Sequence, residues 1–131
     1  MAITQSVSES YPPVLLHELP MRTALARPDQ VALTVGNSAF SYAELNKALL
    51  SIGRGLLDIG MVRGARVAVF IEKRFEFVVG SFGVAAAGGV LVPMNPLLKP
   101  EQVLYIARSA TTQRLISVDL SVGGRLPAYC T

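Results

Sequence analysis

The sequence predicts an α/β fold: a partial open, mostly parallel sheet flanked by helices, with a small amino-terminal hairpin. Three observations lead there. Val67-Ala68-Val69-Phe70-Ile71 is a continuous apolar run, the pattern of a central parallel strand covered on both faces. Shorter strand-like runs recur at Val90-Leu91-Val92 and at Arg114 to Val118. Helix-length segments separate the three, and strand, helix, strand, helix, strand implies parallel strands joined by right-handed crossovers.

Taken in order, Val14 to Ala26 reads as a first helix with Leu15, Leu19 and Leu25 among its core contacts, which Pro20 must kink or split. Arg27-Pro28-Asp29 ends it. Val31 to Val35 is a short, partly β-branched run, and the turn pair Gly36-Asn37 leads to Ser38-Ala39-Phe40, so a hairpin is expected. Ser41 and Glu44 have capping-box spacing, and Phe40 and Leu45 fit a hydrophobic staple. Leu45, Leu49, Ile52, Leu56 and Ile59 then recur on one helical face, Lys47, Arg54 and Asp58 lie off it, and Gly60 supplies a left-handed stop. Gly53 and Gly55 weaken this helix, and close packing against a strand is their expected use. Phe75 to Ala87 is apolar almost all round, so it should be buried, with Ser81, Ala85 and Gly89 as a small-residue ridge. Pro93 ends the second strand, and Pro100 opens a last helix at its first position.

Composition narrows the function classes. With 131 residues, 51% of them apolar, the chain suits one small domain with a sizeable core. The formal net charge is +3, but the basic residues are spread along the chain and form no stripe interleaved with aromatics, which argues against nucleic acid as a partner. Cys130 is the single cysteine, so neither an intrachain disulfide nor a cysteine cluster for zinc is open to it. Met1 to Pro12 has no cationic start and no apolar run, unlike a secretion signal, and a cytoplasmic location is expected. Phe77 to Leu98 carries no charge and is long enough to span a bilayer, but Gly88-Gly89, Pro93, Asn95 and Pro96 would break the hydrogen bonding a spanning helix needs. No membrane span is therefore expected.

A search for chemistry finds little. Gly80-Ser81-Phe82-Gly83 falls inside a helix, no Gly-Lys-Ser or Gly-Lys-Thr occurs, and a GxG at Gly53-Arg54-Gly55 is likewise helical, so no phosphate-cradling loop is visible. His17 is the lone histidine and reads as a surface or helix-packing residue. Glu72-Lys73-Arg74 follows the central strand at its carboxyl end, the edge where open α/β sheets bind ligands. The plainer reading of that trio, a solvated charge cluster that starts the next helix, is the favoured one.

Two segments resemble something specific. Phe40-Ser41-Tyr42-Ala43-Glu44-Leu45 resembles the first core motif of adenylate-forming enzymes, the superfamily of acyl-CoA ligases, luciferases and nonribosomal adenylation domains. Val84-Ala85-Ala86-Ala87-Gly88-Gly89-Val90-Leu91-Val92-Pro93-Met94-Asn95 resembles the second, a tight helix-to-strand turn that requires glycine. The segment from Val67 to Arg108, especially Glu72-Lys73-Arg74 and the stretch from Asn95 to Gln102, further resembles a bacterial subgroup found with exosortase and exopolysaccharide systems. The resemblance implies an enzyme that uses ATP and magnesium to convert a small-molecule carboxylic acid to an acyl-adenylate, then passes the acyl group to a thiol such as coenzyme A.

Both motifs are structural, and the family's phosphate loop, adenine and ribose contacts and catalytic lysine all come later than residue 131. The resemblance therefore assigns no catalytic, cofactor-binding or metal residue to this chain, and no cofactor is expected to bind it alone. It divides the chain into a flexible tail at 1–12, the amino-terminal part of an AMP-dependent synthetase/ligase domain at 13–120, and an irregular tail at 121–131 that suits a frameshift or premature stop. The missing remainder of the ligase is then the natural partner. A free-standing α/β interaction module, or one half of a split ligase, is the alternative. Translation of the downstream DNA in all frames is expected to uncover a Ser/Thr/Gly-rich phosphate loop, and its absence there would count against truncation.

Overall fold

The computed structural model describes residues 14–117, so the readings of both tails and of Cys130 fall outside the described residues. Among the described residues nine elements follow one another: α1 (Glu18–Ala26), β1 (Val31–Val35), β2 (Ser38–Ser41), α2 (Tyr42–Asp58), β3 (Arg66–Phe70), α3 (Phe75–Ala86), β4 (Val90–Pro93), α4 (Pro100–Ser109) and β5 (Arg114–Ser117). β1 and β2 form an antiparallel hairpin, in which Val35 faces Ser38 across the Gly36-Asn37 turn. The other three strands form a parallel sheet in the order β4-β3-β5.

The central position of β3 explains its sequence. Val67, Ala68 and Val69 are all fully buried, which a strand achieves only when both of its faces are covered. Each valine side chain removed from water in this way contributes about 1.5–3 kcal/mol. The chain passes from β3 through α3 to β4 on one side and then back past β3 through α4 to β5 on the other, and the right-handed rule for such crossovers assigns α3 and α4 to opposite faces of the sheet. One cluster joins Leu56, Val67, Val69, Val84 and Ile116 beneath α3. A second joins Leu45, Leu49 and Val79 and extends to Met21 and Leu33, so it ties α1 and the hairpin to the helix pair.

Local signals set the element ends. At the start of α2, Ser41 Oγ accepts from the Glu44 N–H at 3.2 Å, and the Glu44 carboxylate accepts from the Ser41 N–H at 2.7 Å. This is the capping box. The Phe40 ring lies stacked on Phe75 at 4.0 Å, which anchors the hairpin to the first turn of α3. Gly60 and Gly88 have φ of +83° and +79°, a conformation that side chains with a Cβ rarely adopt, and they stop α2 and α3. No residue of α3 is exposed, as its all-round apolar sequence requires. The uncharged stretch from Phe77 to Leu98 divides into α3, β4 and a loop, and among the described residues no helix is long and apolar enough to cross a membrane.

Several expectations are corrected. Helix α1 begins at Glu18, not Val14, and Leu15, Leu19 and Leu25 are exposed while Pro20 and Ala24 are buried. Pro20 sits in the first helical turn, where a backbone N–H has no intrahelical acceptor, so it neither kinks nor splits the helix. Gly53 does not pack against a strand: a Cβ there would lie 3.3 Å from Ala86 Cβ and from the Gly83 carbonyl of α3, while Gly55 faces open space. The close approach of α3 to α2 runs through Gly83, whereas Gly89 of the expected ridge lies past the helix, where a Cβ would stand 3.2 Å from the Ala65 carbonyl oxygen. A Cβ on Gly83 would stand 2.6 Å from Ile52 Cγ2 and 3.2 Å from the Leu49 carbonyl oxygen. Ile59, placed by periodicity on the apolar face, is the exposed C-cap of α2.

Gly83→Ala should therefore lower stability by roughly 1–2 kcal/mol, the overpacking cost exceeding the gain in helix propensity. Gly55→Ala, in the same helix pair but with free space, should raise it by about 0.5–1 kcal/mol. Thermal melts followed by circular dichroism compare the two, and equal shifts would refute the close approach. Ser41→Ala should cost about 1 kcal/mol in the same measurement, through loss of the cap.

Candidate cleft at the carboxyl edge of the sheet

In a parallel sheet the loops that leave the carboxyl ends of the strands lie together on one edge, so β3 and β4 each deliver a loop there. Between those loops lies a cleft of about 660 Å³. Its floor is apolar: Ile71 and Met94, each 4% exposed, with Phe77 from α3. Met94 is held by its backbone N–H, which donates to the Val69 carbonyl at 3.0 Å. The rim carries Glu72 and Lys73 on the β3 side and Asn95 and Leu97 on the β4 side.

The charged trio after β3 does not act as one group. Glu72 and Lys73 are exposed and line the cleft. Arg74 instead occupies the N-cap position of α3, its Nε 3.8 Å from the Glu76 carboxylate, and does not line it. Arg74 thus belongs to the helix start, while Glu72 and Lys73 are solvated side chains on the rim of the cleft. On the β4 side, Asn95 Oδ1 accepts from the Leu97 N–H at 3.0 Å and fixes the loop, so Leu97 is presented to solvent with 88% of its surface exposed. The rule that selects residues just past β3 applies equally just past β4, and it would have found Met94 to Leu97 from the sequence.

Among the described residues the cleft lacks the glycine-rich turn of a phosphate-binding loop. A phosphate-binding turn needs several free N–H groups at a helix start and glycine to let the backbone approach. The connection from β3 to α3 has no glycine and carries the Glu72 carboxylate. At the start of α4, Pro100 has no N–H, and the N–H groups of Gln102 and Val103 both donate to the Lys99 carbonyl at 3.0 Å. The Gln102 side chain in turn accepts from the Lys99 N–H at 2.9 Å, which completes a closed helix start.

The remaining sequence candidates lie apart from the cleft. His17 is the half-buried N-cap of α1, not a member of the helix. Gly53 and Gly55 are in α2 and Gly80 to Gly83 in α3, all within helices as the sequence indicated. Among the described residues no group of three or more His, Cys, Asp or Glu side chains could hold a metal ion.

Known proteins share this architecture and much of its sequence pattern. The family profile for "AMP-binding enzyme" matches residues 21–127. Bacitracin synthase 1 of Bacillus licheniformis is 31% identical over 104 residues, which are 79% of this chain and 2% of that protein. Among solved structures, the nonribosomal peptide synthetase FmoA3 superposes with a TM-score of 0.80 at 30% identity, covering 92% of this chain and 13% of that one. The anthranilate CoA ligase AuaEII, solved with anthranoyl-AMP, superposes with a TM-score of 0.74 at 24% identity over 81% of this chain and 21% of its own, a likeness of fold. The chain thus spans only a small part of the length of these relatives.

Met94→Ala is expected to cost about 2–4 kcal/mol, because it empties a buried site in the cleft floor. Lys73→Ala should leave stability within about 0.5 kcal/mol, as for other exposed side chains. Urea denaturation of both variants measures the contrast, and an unchanged midpoint for Met94→Ala would show that the cleft floor is not part of the core.

Proposed function

The chain belongs to the AMP-binding enzyme family, and on that premise we propose that it is the amino-terminal part of an AMP-forming acid–thiol ligase, without ligase activity of its own. The observation that carries this reading is the mismatch between fold and chemistry. The described residues share the fold of the family's solved members, while the cleft at the carboxyl edge of their sheet is lined by one cation, Lys73, and by no glycine. In this reading the chain supplies scaffold. The acid, ATP, magnesium and the acceptor thiol would be bound by the longer enzyme, in keeping with the small share of its relatives that the chain spans. A cytoplasmic site of action agrees with the ATP dependence of the family reaction.

A second reading, one half of a split ligase, is favoured by the closed core. Leu49, Val67, Val69 and Val84 are each buried completely by residues of this chain, so a unit that folds alone and then docks is physically reasonable. Exposed edges and apolar side chains such as Leu25 and Tyr105 pull the other way, toward aggregation in the absence of a partner.

ATP–pyrophosphate exchange, measured with the purified chain and a panel of aliphatic and aromatic carboxylic acids, is expected to stay at background. Exchange above background with any acid would overturn the scaffold reading. Light scattering through a thermal melt separates the two versions: a monomeric, cooperative transition supports the split half, and aggregation before melting supports a dependent fragment.

A further inference from the structure

We draw no further inference here: the strongest candidate, the groove of about 730 Å³ between the outer face of α2 and the carboxyl end of α3, where Leu50 and Leu57 lie exposed beside Lys47 and Arg54, is an unpartnered apolar face and nothing in the structure shows what covers it.

Discussion

The close contact between α2 and α3 is the constraint on which the arrangement of the other elements depends. Gly83 lets α3 come so near that a single methyl group would collide with Ile52, and Gly53 answers it from the facing helix. At that separation Leu49 and Leu56 of α2 reach past the α3 backbone into the two buried clusters. Since α3 itself lies on β3 and β4, the same contact fixes α2 relative to the sheet without α2 touching the strands broadly. Helix propensity is sacrificed at both positions, and packing supplies the compensation.

The two ends of the sheet then acquire opposite characters. At the amino end, where α2 and α4 finish, arginines satisfy the carbonyls those helices leave open. Arg66 donates to the Ala110 carbonyl at 3.1 Å, and Arg114 donates to the Ile59 carbonyl at 3.4 Å. Gln113 closes the same region by accepting from the Arg66 N–H at 2.6 Å. These cations are committed to the fold. At the carboxyl end the loops after β3 and β4 leave the cleft floored by Ile71 and Met94.

Much of the fold was legible because its signals are local. The capping box at Ser41 and Glu44, the doubly buried run at Val67 to Val69 and the left-handed stops at Gly60 and Gly88 each follow from a few neighbouring residues. The misreadings concern contacts between elements distant in sequence. Nothing near Gly53 announces that its neighbour is Gly83, on another helix altogether. Leu15, Leu19 and Leu25 looked like a core face of the first helix, but the helix begins only at Glu18 and turns Pro20 and Ala24 inward instead. The candidate site was half legible for a similar reason. Glu72 and Lys73 were found by their place after a strand, whereas Met94 to Leu97 lay inside a motif already explained as structural.

That division also accounts for a fold assigned with ease beside a site with few chemical groups. A triphosphate carries several negative charges and demands concentrated positive charge or a nest of free N–H groups. Among the described residues Lys73 is the one cation lining the cleft, and Glu72 beside it brings the formal charge of the pair to zero. The start of α4 is closed by Pro100 and Gln102, whereas α3 begins at Arg74 without a side-chain cap, its Phe77 N–H donating to the Arg74 carbonyl. At the start of α4 the groups that secure the backbone are not also free to receive phosphate. In the loop after β4 and at the start of α4 the side chains of Asn95 and Gln102 are spent on the chain's own backbone, which leaves Glu72 and Lys73 as the charged groups that line the cleft.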